Sequence, residues 1–431
     1  MVGAPNVMAS GAHPIASLTV PSAQRKELMK NARLLVFVAL PLLFIAPGLP
    51  GSRLSADYDQ TTEAIAGEQS AAVVSTIAFT STRDNHGQPW AVPPIVGGEI
   101  YFIDYMTDGS FSVPRRVTSN TYTDIFPALS PDGRGKIVFD SNRFSAPSEP
   151  VNTSDLFVMN HDGTEPLFLT RGGSPTWSPG GADGQPARMI AFHASAPGVG
   201  LPINRFPGSA TVDSDIFVVN VDDVLEHGAV PQNLTIDRAA TVDDDPNWSP
   251  DGRRIIFTSY VPDPSTNVTS AEIYIMNADG TGEPQQLTGL GNPIVGGVAI
   301  MGGEFGDAEK IEKRGPAWSP DGTRILFACR PLALLPIPVE RWVPTTPFEI
   351  CVMDAVANSP ITQLTLNNID ELTPTWSPDG RQIVFHRAPS NQLWVMRADG
   401  TNLVPLAEAA SSGFNLLATS WGVVKVDNRA R

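Results

Sequence analysis

Cysteine is nearly missing from this chain, with only Cys329 and Cys351 among 431 residues. Two thiols build neither a metal framework nor a disulfide scaffold. Cys329 falls near the end of one expected strand and Cys351 in the next. They can face each other as a disulfide, which needs Cα atoms roughly 4.4–6.8 Å apart, or remain two reduced core residues. An excess of basic charge is missing too. The formal net charge is −16, which argues against a nucleic-acid partner, because phosphate binding calls for a basic surface. The linear signatures of hydrolase and nucleotide chemistry are absent as well: there is no G-x-S-x-G, H-E-x-x-H or P-loop. An active site gathered from scattered residues would leave no such motif, so these absences do not exclude an enzyme.

No apolar run reaches the about 20 residues that span a bilayer comfortably. The longest lies in "MKNARLLVFVALPLLFIAPGLPG", which begins at Met29. Lys30 and Arg33 precede an apolar stretch over 34–46 that Pro41 interrupts, and small residues follow, as in an export signal. The expectation is a start at Met29 and removal of the leader; the alternative is an uncleaved anchor with a short cytoplasmic tail. No cysteine follows the stretch, so lipid modification of a cysteine is not expected. Residues 1–50 are read as extension and leader and 51–71 as a linker, before a domain over 72–426 and a tail over 427–431. The implied location is periplasmic or extracellular, with the chain not membrane-embedded after signal removal and monomeric.

Proline and glycine, by contrast, are plentiful, at 40 and 37 residues. They stand at fixed places. "PNWSPDGRRIIFTS" at Pro246 returns as "PALSPDGRGKIVFDS" at Pro127, "PAWSPDGTRILFAC" at Pro316 and "PTWSPDGRQIVFHR" at Pro374, with a degenerate copy at Pro175. Self-similarity at tens of residues marks a repeat architecture. In each copy a short extended piece meets the turn "SPDG", where Pro presets φ and Gly tolerates positive φ. A β-rich alternating strand follows. A third strand recurs as "EIYFID" (99–104), "DLFVMN" (155–160), "DIFVVN" (215–220), "EIYIMN" (272–277), "EICVMD" (349–354) and "QLWVMR" (392–397). An Asp-Gly turn comes next, degraded after Asn220 and Asp354, and a short fourth strand ends in "VT", "LT" or "LA".

The first repeat lacks its first strand, and "ATSWGVVKV" (418–426) supplies a matching one at the other end. Closing the array this way leaves no open sheet edge. The expected fold is therefore all-β, a six-bladed β-propeller of four-stranded antiparallel blades. The pattern "PxWSPDGxxIxF…IYxMxxDGT…LT" resembles the repeat of the TolB-like propellers, also called WD40-like PD40 repeats, over roughly residues 72–426. The resemblance implies the propeller; the α/β domain that precedes it in TolB is not expected here. Propellers host many activities, so it implies little about function.

Topology places the variable second-to-third and fourth-to-first connections on one face. These include 82–98, 196–213, 260–271, 289–315 and 331–347, and function in repeat proteins gathers where insertions do. The Gly-rich stretch 289–315 would act as a lid or as an ordered cover. Arg83, Arg143, Arg330 and Arg387, with His193 and His386, stand at second-strand ends near this face. The arginines would bind carboxylates in forked geometry, or pair with acids of adjoining loops. Acids stand three residues before the repeat proline at Asp124, Asp243 and Glu371, in alternate blades. Around a channel mouth they would hold Ca²⁺ or another cation; otherwise each accepts N–H groups of its own loop. No other cofactor is expected. The favoured function is a binding or scaffolding module for a protein, peptide or glycan of the cell envelope. The alternative is a propeller-type lyase or hydrolase acting on a carbohydrate or lactone.

Overall fold

In the computed structural model of the chain, the structure describes residues 71–81, 98–143, 154–180, 187–194, 214–236, 241–262, 269–289, 294–295, 310–335, 341–344, 346–388, 392–406 and 416–423. Their strands form six sheets. Blade 1 holds β1 (Val73–Ser81), β2 (Glu99–Met106) and β3 (Arg115–Arg116). Blade 2 holds β4 (Asp124–Leu129), β5 (Lys136–Ser141), β6 (Asp155–Asn160) and β7 (Leu167–Arg171). Blade 3 holds β8 (Gly173–Trp177), β9 (Met189–Ala194), β10 (Asp215–Asn220) and β11 (Gln232–Asn233), with helix α1 (Val221–His227) between the last two. Blade 4 holds β12 (Val242–Trp248), β13 (Arg254–Pro262), β14 (Thr269–Asn277) and β15 (Gln285–Gln286). Blade 5 takes β16 (Ile294–Val295), β17 (Lys310–Trp318), β18 (Arg324–Leu335), β19 (Arg341–Pro344), β20 (Glu349–Asp354) and β21 (Ile361–Gln363). Blade 6 holds β22 (Asp370–Trp376), β23 (Gln382–Ala388), β24 (Gln392–Arg397) and β25 (Val404–Pro405). The last strand, β26 (Leu416–Gly422), returns to pair with β1, Ile77 opposite Trp421. The protein is a six-bladed β-propeller closed by its final strand.

The local chemistry of each repeat explains its shape. In "SPDG" at 249–252, Ser249 Oγ and the Arg253 amide both donate to Asp251 Oδ1, and Arg254 N donates to Ser249 Oγ. Gly252 closes the turn at φ 69°, a conformation cheap only for glycine. The turns are also nested around the ring: a Cβ on Gly252 would lie 3.3 Å from Pro179 of the preceding blade. Where the Asp-Gly turn is degraded after Asn220, helix α1 stands instead. Asn220 caps it by accepting from the amides of Asp222 and Asp223, and Gly228 ends it in the left-handed region.

The core is divided between the blades. Six apolar clusters fill the six junctions, each built from two successive blades. Trp177, Trp248, Trp318, Trp376 and Trp421 each bury an indole in one of them, and Leu129 takes the sixth place. A residue facing its own blade's sheet surface therefore also faces its neighbour's, which is why the second strands read as near-continuous apolar runs.

Insertions reshape two blades at one end. The hairpin of β13 and β14 continues to Pro262 opposite Thr269. Beyond Cys329, β18 folds into a second hairpin with β19, Leu335 opposite Arg341. Of the connection 289–315, Ile294 and Val295 add β16 in parallel to the outer edge of blade 5, and 310–315 lengthen β17; 290–293 and 296–309 lie outside the described residues, as do 82–97, 196–213, 263–268 and 336–340.

Candidate functional site

Antiparallel order brings the starts of first and third strands and the ends of second and fourth strands to one end of every blade. Most of the buried charge is at this end: Glu99, Asp124, Asp140, Asp155, Asp215, Asp243, Asp244, Glu272, Glu312, Lys313, Glu349, Glu371 and Arg387. Buried charges persist only when paired or hydrogen-bonded, and here the repeat supplies the partners.

The acid that opens the third strand is held by the threonine that closes the fourth. Thr118 donates to Glu99, Thr235 to Asp215 and Thr288 to Glu272. Each threonine oxygen in turn accepts the amide following the acid, Ile100, Ile216 or Ile273. The same contact joins Ile350 N to Thr365. The "EI" and "LT" ends of the repeat are thus one structural device.

Asp124, Asp243 and Glu371 are fully buried and turned into their own blades. Asp124 accepts Ser141 Oγ at 2.7 Å and Arg143 Nη2 at 2.8 Å. Asp243 accepts Ser259 Oγ at 2.6 Å, and Glu371 accepts Arg387 Nε at 2.9 Å. Among the described residues no three acidic, histidine or cysteine side chains gather as a metal site requires. Asn120 bridges Glu99 and Asp124, and Asn367 bridges Glu349 and Glu371. The signal T-x-N-x-x-x-[D/E] at 118–124 and 365–371 was legible in the sequence.

The arginines differ in position. Arg387 is two residues past Phe385 and lies directly opposite Glu371, and Arg330, three past Phe327, lies directly opposite Glu312, whereas Arg143, four past Phe139, reaches back from beyond the end of β5. Arg83 lies outside the described residues. His193 Nδ1 meets Asp244 of the next blade at 2.8 Å. A Cβ on Gly173 would stand 2.8 Å from His193 Nε2 and 3.0 Å from Asp140 Oδ2, so only glycine fits there. His386 is buried on β23, half the ring away.

The densest assembly lies between blades 4 and 5, beneath their extended hairpins. Glu312 on β17 is clamped by two guanidiniums: Arg314 Nε donates to Oε1 at 2.7 Å and Arg330 Nε to Oε2 at 2.7 Å. Both guanidiniums stand over Phe348, at 5.2 Å and 4.0 Å from the ring centre, and Arg314 also stands 5.7 Å from that of Tyr260. Burial pushes the Tyr260 hydroxyl well above its usual range. Burial opposes the Arg314 charge, yet Tyr260, Glu312 and Asp245 outweigh it and hold the guanidinium firmly charged. Nearby, burial lowers Lys313 despite its 2.7 Å pair with Glu272. Glu312 and Arg314 flank Lys313 in "EKRG", but no sequence signal announced them, because the aromatic platform comes from beyond the next hairpin. A depression of about 340 Å³ lined by Ser249, Asp251, Arg254 and Asp321 lies at the opposite, short-turn end, so that hollow and the Glu312 assembly do not coincide. No helix among the described residues is long and apolar enough to cross a membrane.

The class defined here is a closed six-bladed propeller with a polar layer under one end. No family model matches the chain. A stretch of 163 residues, 33% of the chain, is 26% identical to the uncharacterized peptidase YuxL of Bacillus subtilis (strain 168), and it spans only 21% of that relative. Similar solved structures include TolB from Acinetobacter baumannii, with 19% identity, a TM-score of 0.49, and coverage of 81% of this chain and 66% of that one. A putative TolB from Agrobacterium tumefaciens gives 17% identity, a TM-score of 0.45, and coverage of 78% and 89%. These neighbours are TolB-like propellers; the fold assigned here rests on the six sheets themselves.

Proposed function

We propose that the protein is an exported binding module that recognises a carboxylate-bearing peptide or protein segment at the long-loop end of blades 4 and 5. One observation carries this reading: Arg330 gives only its Nε to Glu312, and among the described residues its two terminal nitrogens have no hydrogen-bond partner. A planar guanidinium fixed on a ring with its outer edge unspent suits forked binding of a carboxylate. The hairpins of β13–β14 and β18–β19 would flank the bound segment.

Arg330→Lys tests this, since lysine keeps the charge beside Glu312 but not the fork. The native chain and the variant, cross-linked in envelope extract and compared by mass spectrometry, should differ in one partner, with capture by the variant reduced about tenfold, consistent with losing a charge-assisted bond, at unchanged melting temperature. Partners captured equally by both would overturn the reading.

A further inference from the structure

The acids that open the third strands are balanced differently from blade to blade. Glu99 has Arg116 Nη2 at 2.7 Å. Glu272 has Lys313 at 2.7 Å. Asp215 accepts Asn233 Nδ2 at 2.7 Å. In blade 5 the place of Arg116 belongs to Gln363. Arg116 pairs in register with Tyr101, two residues past Glu99, and Gln363 pairs with Cys351, two past Glu349. Both side chains donate to the carbonyl of the fourth-strand threonine, Arg116 Nε to Thr118 O and Gln363 Nε2 to Thr365 O. Arginine has nitrogens left for the acid after that bond, and glutamine brings no charge.

Glu349 therefore lacks a cation from its own blade. From β22 it faces Glu371, and Asn367 Nδ2 is shared between the two carboxylates at 3.2 and 2.9 Å. Asp370 of β22 is close by, accepting the Phe348 amide at 2.8 Å. Arg387 of β23 is committed to Glu371 through Nε and Nη2. His386 alternates to the other face of that strand. β18 opposes Glu349 with Cys329, and β21 and the residues just past it bring Gln363 and Thr365, all uncharged. The Asn367 amide also donates to Glu349, at 2.5 Å, so the connection 366–369 between blades 5 and 6 is held on this carboxyl. The same junction grips Phe348 by its backbone, through Asp370 and through Glu371 N, which donates to its carbonyl at 2.9 Å.

We propose that Glu349 is a proton-operated latch between blades 5 and 6: as a neutral acid it lies beside Glu371 without like-charge repulsion, so the 366–369 connection stays closed and Phe348 fixed, and as an anion, buried beside a second carboxylate with no cation from its own blade, it loosens both. Its bearing on recognition rests on the reading of Arg314 and Arg330, which stand on Phe348. Burial, reinforced by Glu371, pushes the Glu349 carboxyl up to about 7, against the pull of Asn367, Thr365 and Arg387. The folded chain thus keeps a proton that the unfolded chain, at the ordinary 4.5, releases. The stability it brings is fully present below that lower value and is lost as pH rises through about 7.

The full chain, Glu349→Gln and Gln363→Arg are compared from pH 5 to pH 8. The melting temperature of the native chain should fall by several degrees relative to both variants across this range. Amides of 346–350 and 366–369, corrected for intrinsic exchange, should exchange faster at pH 8 in the native chain alone. Parallel melting curves and unchanged exchange in all three would overturn the latch. Neither measurement needs a ligand, so a failed Arg330→Lys experiment would sink the binding site without touching this result.

Discussion

In five of the six inner strands the residue before the repeat proline has positive φ: Phe126, Ser174, Asp245, Gly315 and Thr373. The register shifts there in each strand, as expected where a proline interrupts a ladder. For a residue with a Cβ this conformation costs roughly 1–2 kcal/mol, and hydrogen bonds meet part of it. Phe126 N donates to Thr80 of the preceding blade and Ser174 N to Asp140. Gly315 has open space around its missing Cβ, so Gly315→Ala isolates the backbone cost. It should lower stability by about 1 kcal/mol in denaturant titration; no change would mean that the strand relaxes. The tryptophans offer a paired test. Trp177 Nε1 donates to Ala128 O at 3.0 Å, whereas the buried Trp248 Nε1 has no partner among the described residues. Trp177→Phe should therefore cost about 1 kcal/mol more than Trp248→Phe, with equal losses counting against the hydrogen bond.

At the scale of elements, blade 5 departs furthest from the repeat. It carries an added edge strand, a second hairpin, and the disulfide joining Cys329 of β18 to Cys351 of β20. With Cα atoms 5.9 Å apart, the alternative of a linked pair holds over that of two reduced thiols. The bond closes a loop whose ends are 22 residues apart, so chain entropy in the unfolded state predicts a loss of about 3 kcal/mol on reduction. A denaturation midpoint unaffected by reductant would contradict that. The short turns respond to acid instead. In blade 5 the Ser319 and Thr323 side chains and the Thr323 amide hold the Asp321 carboxyl down to about 2. Its contribution is present above the ordinary 3.8 and lost as pH falls through about 2. Asp321→Asn should lower stability at neutral pH and flatten the acid limb of the profile, with native chain and variant converging as pH falls to about 2.

At the scale of the whole molecule, closure is the deciding contact. β26 pairs with β1, and Trp421 Nε1 donates to Ser75 Oγ at 2.8 Å across a separation of 346 residues. Without residues 416–431 the inner edge of blade 1 would offer unpaired backbone groups, a known aggregation hazard. The truncated chain should lose its single cooperative transition and aggregate on refolding, as light scattering would report; a soluble, cooperative product would show that five complete blades suffice.

Much of this was written locally. The turn "SPDG", the alternation of "RRIIF" and the "EI…LT" ends act within a few residues and recur, so blade number, strand order and the inter-blade place of Trp248 follow from the chain's own local chemistry. The site was less legible. Asp124, Arg143, Glu371 and Arg387 stood out by position, but the pairing of each acid with its arginine depends on strand register and on the reach of a side chain past its strand's end. That Arg314 and Arg330 share Glu312 over Phe348, that His193 crosses to Asp244, and that Gln363 replaces a cation beside Glu349 became visible in the folded ring. Each of these contacts joins different strands, some in different blades, so it exists only once the ring has brought those strands side by side.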